Sequence, residues 1–202
     1  MTVSKGDGQV ERRGRGRPRA PEVSEAIINA TIELLAEGGV EAATVDAIAA
    51  RAGVGRPSIY RRWTSIGELI GDVMAMASER EVPVPDTGSL RSDLTQAVED
   101  LIIAMSEPLG RATAALIAYA TTHPEVAVEA PAQQRRRQAT RVIVDRAVAR
   151  GELPKRADAD LILDLVAAPI WMELLVWRRP PSVLNAKTIV NTVLDGVLDK
   201  DR

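Results

Sequence analysis

The 202-residue chain has no cysteine and a single histidine, His123. Disulfides and thiolate chemistry are therefore excluded, and a His/Cys zinc site lacks its ligands. No metal and no other cofactor is expected. Phenylalanine is absent, and three Trp and two Tyr are the only aromatics. A core made from this chain has to be Leu, Ile, Val and Ala, which suits closely packed helices. No apolar run is long enough for a membrane span; the densest, VAAPIWMELLVW, is interrupted by Pro169 and Glu173. The N-terminus carries charge with no apolar stretch behind it, unlike a signal peptide. A cytoplasmic protein with no membrane partner is expected. There is no Gly-rich phosphate loop and no spaced carboxylate motif, and the one histidine precedes a proline. Enzyme chemistry wants a convergent nucleophile, base or metal set, so no catalytic residues are expected.

With 46% hydrophobic and 27% charged residues, the chain reads as globular. The net charge of -2 neither favours nor excludes a nucleic-acid partner, so the distribution of charge has to decide. Residues 1–20 form a Gly- and Arg-rich arm without hydrophobic periodicity. From Pro21 the pattern is helical, with Val23, Ile27, Ala30 and Leu34 on one face. Glu37-Gly38-Gly39 stops that helix. Thr44 is placed to cap a short helix over Val45 to Ala52, which Gly53 ends. Pro57 suits the first turn of a third helix, and Ser65 caps a fourth to about Glu81. Proline- and glycine-marked breaks then separate helices near 89–106, 109–122, 132–150, 158–179 and 182–198. No stretch alternates with period two. The expectation is an all-α fold of about nine helices, divided into the arm at 1–20, a unit of short helices at 21–67 and a helical unit at 68–202.

A two-turn helix, a glycine turn and a second short helix make a helix-turn-helix outline. Ala49 is small where the two helices approach, and Gly53 supplies the left-handed turn residue. Ile48, Val54 and Ile59 supply the apolar contacts. Residues 51–62 contain Arg51, Arg56, Arg61 and Arg62 and no acid. The start of such a recognition helix reads base edges while its flanks grip phosphates. Arg56 is the candidate for a base contact, because its fork matches the O6/N7 acceptors of guanine. Arg61 or Arg62 is expected at phosphate, Tyr60 with its ring on the domain and its hydroxyl at phosphate, and Trp63 in the core. Thr44, Gly55, Pro57 and Ser58 complete the candidate DNA-facing set.

The run TVDAIAARAGVGRPSIYRRW resembles the DNA-binding signature of TetR-type bacterial transcriptional regulators, over about 50 residues from Ile27 to Val73. That resemblance implies a homodimer with an N-terminal three-helix DNA-binding domain and a variable helical domain that binds a small-molecule effector. In most members the ligand releases the operator, which is double-stranded DNA and near-palindromic for a dimer. Two positions depart from the family pattern. Gly55 stands where Ser or Thr usually caps the recognition helix, at a cost of a few tenths of a kcal/mol. Ile66 stands where a Lys commonly meets phosphate, so Arg61, Arg62 or the arm has to substitute. Within the arm, Gly16-Arg17-Pro18-Arg19 resembles the core of minor-groove AT-hooks. Arg17 and Arg19 either enter a narrow A·T groove or add non-specific attraction.

In the second unit, the last two helices carry apolar stripes. Val166, Ile170, Leu174 and Trp177, with Val190, Val193, Leu194 and Val197, form either a dimer seam or part of the chain's own core. Pro169 is expected to bend or interrupt its helix. Met105, Leu116, Tyr119, Val142, Arg146 and Trp171 are candidate effector-pocket residues, or else plain core. Arg135 to Arg137 read as a solvated charged face.

Overall fold

A computed structural model describes residues 20–79, 83–123 and 130–196. Among the described residues there are nine α-helices and no strand: α1 (Ala20–Gly38), α2 (Val45–Ala52), α3 (Arg56–Tyr60), α4 (Ile66–Glu79), α5 (Leu90–Ser106), α6 (Pro108–Ala120), α7 (Ala130–Ala149), α8 (Ala159–Trp171) and α9 (Ala186–Asp195). No single helix among them is long and apolar enough to cross a bilayer. Short polar side chains set several starts by accepting orphan backbone N–H groups. Ser89 accepts from Ser92, Asp158 from Leu161 and Asn185 from Thr188, at 3.2, 3.0 and 2.9 Å. The last helix therefore starts at Ala186 rather than at 182, because Pro181–Val183 first make one 3₁₀ turn and Asn185 is the cap.

The apolar side chains gather into two cores. The first holds Ile27, Leu35, Ile48, Ile59, Trp63, Leu69 and Val73 from α1 to α4. The second holds Leu94, Val98, Met105, Ile143, Ile170 and Val190 from α5, α7, α8 and α9. Each fully buried Leu, Ile or Val contributes about 1.5–3 kcal/mol, so neither face can turn outward cheaply. Helix α6 belongs to both cores. Ala112 and Leu116 enter the first, and Ala114 enters the second. The consecutive helices α5 and α6 meet at 85°. A Cβ on Gly110 in that corner would stand 2.2 Å from the Ala104 carbonyl oxygen and 2.6 Å from the Met105 Cα, so only glycine fits.

A buried carboxylate ties the segment before α5 to the end of α7. Asp93 accepts from the Thr87 backbone N–H and hydroxyl, both at 2.6 Å, and from Arg150 at 3.4 Å. Burial pushes the Asp93 carboxyl up, but the Thr87 hydrogen bonds and the Arg150 charge outweigh it. The net result lies below its ordinary range. Glu152 accepts from the Leu90 N–H at 2.7 Å, satisfying another donor at the start of α5.

The single helix expected to reach residue 179 is divided. Pro169 has no N–H for the ladder, α8 ends at Trp171, and a π turn follows over Met172–Val176. Its signature is the Trp177 N–H to Met172 carbonyl bond at 3.1 Å. Arg178 then takes a left-handed φ of 51°, and the Arg179 N–H returns to the Glu173 carbonyl at 3.0 Å. Arg179 also forks onto the buried Glu173 carboxylate, holding its pKa below the usual range.

Candidate nucleic-acid interface

The turn between α2 and α3 is shaped by its backbone. Thr44 accepts from the Ala47 N–H at 3.2 Å, which starts α2. Gly53 ends it at φ 65° and ψ 33°, the left-handed region where an L side chain is strained. The Val54 N–H closes on the Ala49 carbonyl at 3.0 Å. Ala49 is buried, so the two helices can cross closely. Gly55 sits at the N-cap of α3 in extended geometry with no side-chain cap, and Pro57 lies in the first turn. Ile59 and Trp63 are buried at 2% and 5% exposure. The Trp63 indole N–H donates to Asp72 of α4 at 2.7 Å, fixing the recognition helix to the helix behind it.

The four arginines separate into different roles. Arg51 faces backward. It forks onto Glu37 at 2.8–3.0 Å and reaches Glu33 at 3.0 Å, both on α1. Arg51 thereby holds the Glu37 carboxyl below its usual range. Arg62 is half-buried, donating to the Ser24 hydroxyl at 2.7 Å and to the Ser58 carbonyl at 2.9 Å, so it bridges α1 and α3. Arg56 and Arg61 stand on the exposed side. Arg61 donates to the Ser58 hydroxyl at 2.9 Å, and Arg56 is ion-paired with Asp46 at the start of α2. Tyr60 is 56% exposed beside them. One outward face thus collects Gly55, Arg56, Pro57, Tyr60 and Arg61, with Thr44 exposed at the α2 cap and Ser58 half-buried. A hydroxyl that accepts from a backbone N–H can still donate its own proton. The arm residues Arg17 and Arg19 lie outside the described residues.

The start of α4 takes no lysine's place. Ser65 caps the Glu68 N–H at 3.2 Å, and the Glu68 carboxylate accepts from the Thr64 N–H and hydroxyl at 2.6 and 2.8 Å. Those Thr64 bonds, backbone first, hold Glu68 below its ordinary pKa. A carboxylate occupies this helix end, where a phosphate would otherwise be favoured.

Away from this face, α5, α6, α7 and α8, with Ala77 of α4 and residues 83–85, line a half-open cavity of about 650 Å³. Met105 and Trp171 line it. The other four pocket candidates do not. Leu116 is in the first core, and Tyr119 stacks on His123 with ring centroids 3.8 Å apart. Val142 is exposed, and Arg146 donates to the Pro85 carbonyl at 2.9 Å. Arg135 and Arg137 are exposed, as expected of a solvated face, while Arg136 is half-buried; all three also border the cavity. Nothing in the sequence marks this, because which side of α7 meets the cavity depends on how four helices pack. Asp46 as partner of Arg56, and Ser24 as partner of Arg62, were missed for the same reason.

Of the two alternatives for the apolar stripes, the chain's own core accounts for most of the named residues. Val166, Ile170 and Val190 are buried in the chain's own second core, and Leu174, Val193 and Leu194 pack against it. Of the named seam residues only Trp177 is strongly exposed, at 60%, and Val197 lies outside the described residues. The outward stripe on α8 and the π turn is instead Leu161, Leu165, Met172, Leu175 and Val176. A helix with apolar residues on both sides can have its faces assigned only by packing.

A short helix held out from a small helical core, with arginines at its exposed side and a glycine turn before it, defines a DNA-binding module of the helix-turn-helix class. Known proteins agree. The family model described as bacterial regulatory proteins, tetR family, matches residues 27–73, and the tetracyclin repressor-like C-terminal domain matches residues 84–193. The chain is 32% identical over 185 residues to the HTH-type transcriptional regulator YdeS of Bacillus subtilis, covering 91% of this chain and 93% of that protein. It is 31% identical over 150 residues to the HTH-type transcriptional regulator AqdR of Rhodococcus erythropolis, covering 74% and 72%. The crystal structure of the TetR-family regulator PfmR from Thermus thermophilus shares the fold, with a TM-score of 0.65 at 18% identity over 86% of this chain and 99% of that one. The chain belongs to the TetR family of helix-turn-helix, DNA-binding transcriptional regulators.

Proposed function

We propose that this regulator is a homodimeric repressor, released from its operator when a small, mostly apolar effector fills the cavity. The observation that carries this reading is the double membership of α6. Its Ala112 and Leu116 are packed into the core beneath the recognition helix, and its Gly110 and Thr113 line the cavity. A rigid helix shared by both regions couples their geometries, since packed cores do not deform continuously. We assign the arm to residues 1–20, the DNA-binding unit to 21–67 and the effector and dimer unit to 68–202, with α6 of the last unit docked on the second.

At the duplex, Arg56 reads a base edge, while Thr44, Gly55, Pro57, Ser58, Tyr60 and Arg61 approach the backbone around it. Arg62 acts mainly from behind, holding α3 against α1 through Ser24. With Ile66 apolar and Glu68 at the α4 terminus, phosphate grip falls to Arg61 and to Arg17 and Arg19 of the arm. The outward apolar stripe of α8 supports pairing with a second copy, because a contiguous exposed row of large apolar residues is costly in water. Such a protein works on chromosomal DNA in the cytoplasm.

Selection of bound DNA from a random pool tests the reading. The expected result is a near-palindrome whose half-sites lie about 34–36 Å apart, bound by two chains. Enrichment of an unrepeated site bound by one chain would remove the dimeric reading. Release by no apolar small molecule in a broad panel would remove the effector.

A further inference from the structure

We infer that Asp46 is a specificity-determining residue, which holds the Arg56 guanidinium at Nε so that its two Nη groups are presented to a guanine. This rests on the base-reading role proposed for Arg56. The two residues come from different elements, Asp46 from the first turn of α2 and Arg56 from the first position of α3. The left-handed turn at Gly53 and the close crossing at Ala49 bring them together on the outward face. The ion pair joins Arg56 Nε to Asp46 Oδ1.

A guanidinium has two edges for a two-pronged bond, one through Nε and an Nη, the other through both Nη groups. Contact at Nε leaves the Nη pair, at the tip of the side chain, for the O6 and N7 acceptors of guanine. Pairing also removes freedom. An exposed arginine samples many rotamers, and ordering it on DNA opposes binding. Held by Asp46, the guanidinium meets a matching acceptor pair at little further cost. It cannot swing to a phosphate without breaking the ion pair, which strengthens where a duplex excludes water.

The fold does not need this pair. Its side chains are 63% and 64% exposed, and an exposed ion pair contributes little to stability in water. A negative charge is favourable in the first turn of α2, but Thr44 already caps that end. On a face built for DNA, a carboxylate is repelled by phosphates and so costs affinity. Of the two outward arginines, Arg56 receives that carboxylate and Arg61 the neutral hydroxyl of Ser58. The charge of Arg61 remains suited to a phosphate, whereas the compensated, oriented Arg56 is suited to a base.

The test uses the full chain and the duplex recovered by selection from a random pool. That duplex, its single-base-pair variants and an unrelated duplex of equal length are titrated by fluorescence anisotropy at several salt concentrations. Asp46→Ala should cut discrimination about fivefold or more at the base pair that Arg56→Ala relaxes. It should also bind the unrelated duplex more tightly, with a salt slope steeper by about one, because the released Arg56 takes a phosphate. Asp46→Asn, which keeps an acceptor oxygen and the side-chain shape, should retain part of the discrimination. In a chain already carrying Arg56→Ala, Asp46→Ala should leave base preference as it stands. Full discrimination by Asp46→Ala, where Arg56→Ala has lost it, would overturn the inference and leave the base-reading role standing. An equal loss from Asp46→Ala with and without Arg56 would assign the effect to the start of α2 and overturn the pair. Arg56→Ala that relaxes no base would remove the base-reading role, and the role of Asp46 with it.

Discussion

One methyl group placed at Gly110 tests the corner on which the coupling of the two cores depends. Gly110→Ala puts a Cβ 2.2 Å from the Ala104 carbonyl oxygen and 2.6 Å from the Met105 Cα. Close carbon–oxygen contacts settle near ~3.3 Å, so α5 and α6 must part by about 1 Å. The obstacle is backbone, which cannot rotate aside as a side-chain tip can. Overpacking of this kind costs about 1–3 kcal/mol, offset by about 0.5–1 kcal/mol from replacing a helical glycine. The net loss is on the order of 1–2 kcal/mol, and each kcal/mol lowers Tm by about 2–4 °C in a chain of this size. Gly71→Ala in α4 is the matched control. Nothing lies within 4 Å of its added Cβ, so the same substitution should stabilise by about 0.5–1 kcal/mol. Urea unfolding of both variants at one protein concentration measures the two effects. Gly110→Ala unfolding at or above the urea midpoint of the natural chain would refute the close approach of α5 and α6.

Other outcomes follow from the same geometry. Arg56→Ala should cost about 1–3 kcal/mol at the operator and relax one base position, read by selection and gel shift; an unchanged preference removes the base-reading role. Asp93 has a depressed pKa in the fold, so its stabilisation is complete above the ordinary carboxylate range and fades as the pH falls through the folded value. Asp93→Asn should therefore flatten stability against pH below that range and lose about 1–3 kcal/mol at neutrality, and a parallel pH profile for the two chains would contradict the network. Leu165→Glu should place a charge in the outward stripe of α8 and halve the mass seen by sedimentation without unfolding the chain; an unaltered dimer would move the interface elsewhere. Removing residues 1–19 should reduce the slope of log affinity against log salt, because fewer counterions are released, and an equal slope means the arm does not touch DNA.

The DNA-binding unit was legible because its signals are local. Thr44 as cap, Gly53 as left-handed turn and Pro57 in a first turn follow from the backbone preferences of single residues, and Ile48, Ala49 and Ile59 from short helical spacing. The helix starts expected near 89 and 158 fall at the caps Ser89 and Asp158, and the break after α5 is a local signal of the same kind. The helix expected over 158–179 was less faithful. Pro169 was visible in the sequence, but not that α8 runs through it to Trp171 and gives way to a π turn at Met172.

Composition and short-range pattern determined that this chain is helical, that it has no chemistry for catalysis by cysteine, and that one short helix is built to face DNA. Tertiary structure decided which arginines are spent inside the protein. Arg51 and Arg62 look no different in sequence from Arg56 and Arg61, yet Glu37 and Ser24 on α1 claim them. It also decided that Val166 and Ile170 turn inward while Leu161 and Leu165 turn out, and that Arg136 stands at a cavity beside Ala77. The reason is physical. A residue's conformational preference belongs to its own few dihedral angles, whereas the partner of a long charged side chain, or the side of a doubly apolar helix, depends on what the remaining helices bring alongside it.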